Sequence, residues 1–161
     1  MPINPADVAA LAQSHATALS HHLVWAPGFA NATPDPQPWR VRLTDHVAGQ
    51  TPHYFLVTFR RDKSVTARMA IHADTGKIRE IRAIDAFGSK LLDFVDPLSM
   101  TFPIVGAPVM PPVVEPDMYW RPSRASTSMI DPFFIVDVNG RKAYVRVDGR
   151  VFYDLAVIGH G

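Results

Sequence analysis

The sequence contains no cysteine. Disulfides, thiolate nucleophiles, zinc–cysteine sites and iron–sulfur clusters are therefore excluded. It also lacks a glycine-rich loop of the kind that cradles a phosphate. No uninterrupted apolar run is long enough to cross a bilayer. The N-terminal stretch Met-Pro-Ile-Asn-Pro-Ala-Asp-Val carries no basic segment followed by an apolar one, so it does not read as a secretory signal. A cytoplasmic protein without membrane attachment is the expectation. An excess of one charge is missing too. The formal net charge is +1, which argues against a dedicated nucleic-acid binder.

Catalytic spacing is equally scarce. Seven histidines invite a metal, but none falls in a His-x-His or His-Glu-x-x-His pattern. His21 and His22 are adjacent, and on a helix they point about 100° apart. His15 and His22 share a helical stripe but sit two turns apart. His46, His53 and His72 could meet across a sheet, yet scattered surface histidines explain them as well. Gly88-Ser89 is not part of a Gly-x-Ser-x-Gly elbow. Ser123, Ser126 and Ser128 share a loop with no specified base. Asp45, Asp74 and Asp137 fall at strand ends and turns, where carboxylates are usually solvated or capping. No catalytic residue, metal or cofactor is assigned.

What the sequence does have is β structure. Asn139-Gly140 and Asp148-Gly149 punctuate runs of β-branched and aromatic residues between Asp131 and Val157. Such turns predict a three-stranded antiparallel meander. Hydrophobic residues make up 47% and charged residues 19% of the 161, enough for a packed core in one domain.

The chain opens with a helix signal. Asn4 can cap, Pro5 suits the first turn and Asp7 suits the positive end of the dipole. Val8, Leu11, Ala12, His15, Ala18 and Leu19 recur at helical spacing, which predicts a helix from Pro5 to His21 or His22. Trp39, Val41, Leu43 and Val47 alternate with Arg40, Arg42, Thr44 and His46, which predicts a strand with one wet face. Residues 53–61 predict a central strand, since its upper part is apolar on both sides. Residues 65–73 and 77–84 predict two more. Phe87, Leu91, Phe94 and Val95 suggest a short helix ended by Pro97. Residues 97–122 hold seven of the fifteen prolines and predict an irregular surface crossover, with Met100, Phe102, Ile104, Val105 and Val109 partly buried. Sub-units 1–96 and 119–158 would lie on either side of a crossover at 97–118.

Pro52-His-Tyr-Phe-Leu-Val and Pro132-Phe-Phe-Ile-Val open two stretches alike, and Asp74-Thr-Gly-Lys-Ile and Asp148-Gly-Arg-Val-Phe close them alike. Two related β units would account for this, though any two meanders look alike. The strand Tyr54-Phe-Leu-Val, the strand ending Ile71-His-Ala-Asp74 and the turn Thr75-Gly76-Lys77-Ile78 resemble the PepSY-type module, a cystatin-like α+β unit. The resemblance spans residues 53–84 and rests on a short motif. It implies a helix packed on an antiparallel sheet, and a binding or inhibitory role without catalysis.

The expected fold is therefore α+β. An N-terminal helix packs on an antiparallel, meander-rich sheet of about seven strands, divided into two related β units. Tyr119, Trp120, Arg121 and Arg124 form the first candidate contact site, because Tyr, Trp and Arg anchor interfaces. A buried role for Trp120 is the competing reading. Arg40, Arg42 and Arg68 form a candidate anion-binding face, against the commoner solvated face of a sheet. The leading function is a non-enzymatic binding or accessory module for a protein or peptide. The alternative is a small-molecule carrier or modest enzyme with a pocket between helix and sheet. A free sheet edge could equally close a homodimer.

Overall fold

The computed structural model describes residues 3–44, 52–87, 89–99 and 112–155. The chain divides into two compact units, Met1–Arg40 with His53–Asp93, and Val41–Pro52 with Phe94–Gly161. Each is α+β or β in character, and strand pairing is mostly antiparallel.

The first unit begins with α1, Pro5–Leu19. Asn4 Oδ1 accepts the Ala6 N–H at 3.0 Å, so the orphan donors of the first turn are partly met. Val8, Ala12 and Ala16 repeat every fourth residue and are fully buried. Alanine at the last two positions lets the helix approach the sheet closely. The helix stops before His21 because Ser20 caps it, its hydroxyl donating to the Thr17 carbonyl at 2.7 Å. A short helix, α2 (Ala26–Phe29), follows, then β1 (Thr33–Pro34) and β2 (Trp39–Arg42).

Three long strands complete this unit: β3 (His53–Arg61), β4 (Ser64–His72) and β5 (Ile78–Ala83). β4 lies between the other two, and β1 pairs with β3. Phe55, Val57 and Phe59 of β3 and Ala67, Met69 and Ile71 of β4 form one face, which packs in a core with the stripe of α1. Phe29 meets Phe59 edge to face at 5.1 Å. Residues 54–59 are all buried, as a strand apolar on both sides requires. The Thr75-Gly76 turn docks on α1. Gly76 takes φ +71°, its carbonyl lies 2.8 Å from His15 Nε2, and a Cβ there would strike Leu11. His15 is thus a structural clasp.

The second unit receives Val41 and Arg42 from the end of β2. They align with Met118 and Tyr119 of β6 (Val113–Tyr119) in parallel. β7 (Phe133–Val138), β8 (Arg141–Arg146) and β9 (Val151–Phe152) then form the meander. Asn139 and Gly140 both adopt positive φ in the first turn. In the second only Gly149 does, and the Gly149 N–H bonds the Arg146 carbonyl at 2.8 Å. That is a four-residue turn ended by a left-handed glycine.

Several expectations need correction. Among the described residues no helix forms around Phe87 to Val95. Asp93 is held by Arg60, the Leu92 carbonyl accepts from Arg68, and the Val95 N–H bonds the Val147 carbonyl, so the segment is fixed by lateral bonds. One 3-10 turn, Pro97–Ser99, follows. The proline-rich stretch is not irregular throughout, because Val113–Tyr119 is a strand. Its register slips between Val114 and Met118, and Pro116 sits in that irregularity, where no ladder N–H is needed. The strand predicted to reach Val47 ends at Arg42. His46, Val47 and Met100 to Val109 lie outside the described residues, as does the C-terminal Gly159-His160-Gly161.

Candidate functional site

Tyr119 and Trp120 are both buried. Tyr119 joins Ala125, Phe133, Ile135 and Leu155 in the core of the second unit, with the rings of Tyr144 and Phe152 against it. Trp120 is 9% exposed, and its indole N–H donates to Ser126 Oγ at 3.3 Å. Arg121 donates to the Leu155 carbonyl. Arg124 is exposed. The structure thus divides the four, with two in the core, one on a backbone carbonyl and one in solvent. Ser126, weighed above as a nucleophile, lies 2.7 Å from the Asp131 carbonyl and is buried. It knits the loop together.

The arginine face is likewise rearranged. Alternation along β2 predicts that Arg42 faces water, yet it is 1% exposed. Its Nη2 donates to Glu115 Oε2 at 2.8 Å. Arg68 is buried on β4, where its Nη2 donates to the Leu92 carbonyl. Arg40 is half-buried. The solvated-face reading therefore fails for Arg42 and Arg68.

The first unit holds a groove open to solvent. A groove of ≈ 640 Å³ is lined by residues 61–66, Ile84 and residues 89–93. Its wall is fastened by Arg60. Nη1 and Nη2 of Arg60 bond Asp93 at 2.6 and 3.1 Å, and Nε bonds Asp35 at 2.9 Å. These two carboxylates, Asp93 foremost, raise the Arg60 pKa well above its ordinary value. Arg61 lies on the groove and donates to the carbonyls of Pro27 and Ala30. Beside the groove runs β5, the terminal strand of its unit, with exposed Arg79 and half-buried Arg82 on it and exposed Lys77 just before it. Neither feature was legible in advance. Strand order decides which strand is terminal, and the groove joins segments far apart in sequence.

Among the described residues no three His, Asp or Glu side chains converge as a metal site would require. His72 Nδ1 instead accepts the N–H groups of Asp74 and Thr75, both at 3.2 Å. Among the described residues no helix is long and apolar enough to cross a membrane. Comparison with protein-family models, curated proteins and solved structures finds no match.

One acidic group gives a pH handle. Arg146 Nε and Nη2 clamp Asp148 at 2.8 and 2.6 Å, which holds the Asp148 carboxyl below the usual carboxylate range. A depressed folded pKa contributes stability above the unfolded pKa, and this is lost as pH falls through the folded value. Asp148→Asn should therefore lower stability at neutral pH by about 0.5 kcal/mol, since the pair is partly exposed. The difference from the parent should vanish in acid. Urea melts across that pH range would show it, and a pH-independent difference would assign the loss to packing.

Proposed function

We propose that this protein is a non-enzymatic binding module that takes an extended, acidic segment of a partner protein as an added strand on β5. The observation that carries the reading is the position of β5 at the end of its unit's strand order. A terminal strand offers backbone N–H and C=O groups to an incoming chain. Lys77 and Arg79 stand exposed at one end of it and favour an acidic segment. Charged residues on an edge also deter self-pairing, so selectivity for acidic strands and protection from aggregation have one cause.

Two further points support the reading. The resemblance of residues 53–84 to the PepSY-type module implies binding without catalysis. The space beneath α1, where a small-molecule pocket would have to lie, is filled by Val8, Ala12 and Ala16 against Phe55, Val57 and Phe59.

The test is fluorescence anisotropy with a labelled peptide of alternating valine and glutamate. It should bind, while its valine–lysine counterpart should not. Arg79→Glu should weaken binding about tenfold. N-methylation of alternate peptide nitrogens should abolish it, because the added strand is held by main-chain bonds. Failure of the acidic peptide to bind, or indifference to N-methylation, would remove the assignment.

A further inference from the structure

The lining of the groove combines two chemistries. Val65, Ile84, Leu91 and Leu92 make part of it apolar. Leu92 is 73% exposed, so that apolar surface is within reach of a solute. Arg61, Lys63 and Lys90 make the rest cationic. Arg61 is held in place by the carbonyls of Pro27 and Ala30, which are neutral acceptors and leave its charge uncompensated. Lys63 and Lys90 are exposed. Among the described residues none of these three cations pairs with a carboxylate.

Two carboxylates share the lining. Asp93 is engaged by Nη1 and Nη2 of Arg60, so its negative charge is already answered. Among the described lining residues that leaves Asp62 alone against three cations. The groove is therefore locally positive in a chain whose formal net charge is only +1. Charge of one sign in a cleft with low-dielectric walls attracts a counter-ion more strongly than the same charge on an open surface.

We propose that this groove binds a small amphiphilic anion, an apolar body ending in a carboxylate or phosphate head. The body lies against Val65, Leu91 and Leu92, and the head meets Arg61, Lys63 and Lys90. The groove volume, ≈ 640 Å³, falls in the range of about 300–1,000 Å³ usual for small-molecule sites. An inorganic anion gains nothing from the apolar residues, and a cationic amphiphile is repelled by the excess positive charge. Only a ligand with both parts uses the whole lining. The site lies apart from the strand-pairing edge of β5 and does not depend on strand addition there.

Amide NMR titration of the full chain with octanoate and with octyl phosphate is the test. At least one should bind with a Kd of about 1 mM or tighter, and the tighter of the two identifies the head group. The shifts should centre on residues 61–66 and 89–93. Octylammonium, acetate and inorganic phosphate should each bind at least about tenfold more weakly. Lys63→Glu combined with Lys90→Glu should weaken binding at least about tenfold, and Leu92→Asp about as much. Asp62→Asn should tighten it about threefold, because the one opposing charge is gone. Asparagine tolerates the positive φ of that position, +57°, and all four side chains are exposed, so the variants should melt like the parent. Arg79→Glu, which alters the β5 edge, should leave binding unchanged. Two silent amphiphiles overturn the proposal, as does octylammonium binding equally well. So does an Asp62→Asn variant that binds no more tightly, or a site lost on Arg79→Glu.

Discussion

Glu115→Ala is expected to lower the unfolding free energy by about 3 kcal/mol, because it strands a buried cation. Arg42 is 1% exposed, and its ion pair with Glu115 is 2.8 Å long. Among the described residues Nε and Nη1 of Arg42 find no other hydrogen-bond partner, so the Glu115 carboxylate carries most of the compensation. Removing one partner of such a pair typically costs about 3–5 kcal/mol, and the partial exposure of Glu115 puts this case at the low end. The pair itself is a different matter. Replacing both partners, as Arg42→Met with Glu115→Leu, should recover the stability to within about 1 kcal/mol of the parent. Urea unfolding of the parent, both single variants and the double variant closes the cycle. A loss below about 1 kcal/mol for Glu115→Ala would mean that water reaches the guanidinium.

Gly28→Val should be comparably severe, with a loss of about 3 kcal/mol, and Gly28→Ala should cost about 2 kcal/mol. In a helix, alanine ordinarily improves on glycine by about 1 kcal/mol, so the sign here is reversed. The reason is contact. A Cβ at Gly28 would lie 2.5 Å from Ala83 Cβ and 3.1 Å from the Thr66 carbonyl oxygen. Ala83 Cβ is fixed to the β5 backbone and cannot rotate away, so α2 must lift from the sheet. Gly28→Ala combined with Ala83→Gly should regain part of the loss, since the colliding methyl is gone. Thermal or urea melts decide it. A Gly28→Ala variant as stable as the parent would show that α2 shifts at no cost.

Local signals in this chain were strong wherever the physics is local. The cap and first turn of α1 follow from Asn4 and Pro5. Positive φ at Asn139 and Gly140 follows from the steric freedom of those residue types. The central character of β3 follows from an apolar run with no wet face. The α+β class follows from these elements together, since a helix with one apolar stripe needs a sheet to cover it.

Other features depended on partners remote in sequence. Arg42 alternates with apolar neighbours and reads as solvent-facing, but Glu115, from a distant strand, takes its charge into the interior. Trp120 and Tyr119 have the composition of a contact site, but the loop carrying Ser126 and the ring of Phe133 enclose them. β6 was hidden by Pro116, because a proline argues against a strand unless an irregularity spares its missing N–H. The apolar spacing of Phe87, Leu91, Phe94 and Val95 suggested a helix, yet Arg60 and Arg68 hold that segment by its side.

Local chemistry sets the elements and rules out thiol chemistry, because capping, turn geometry and the absence of cysteine act over a few residues or none. Tertiary structure alone decided which strand is terminal, which arginines are buried and where the groove lies. Those are properties of strand order and of pairs such as Arg42 and Glu115, and the free energy of such a pair depends on burial that neither residue specifies locally.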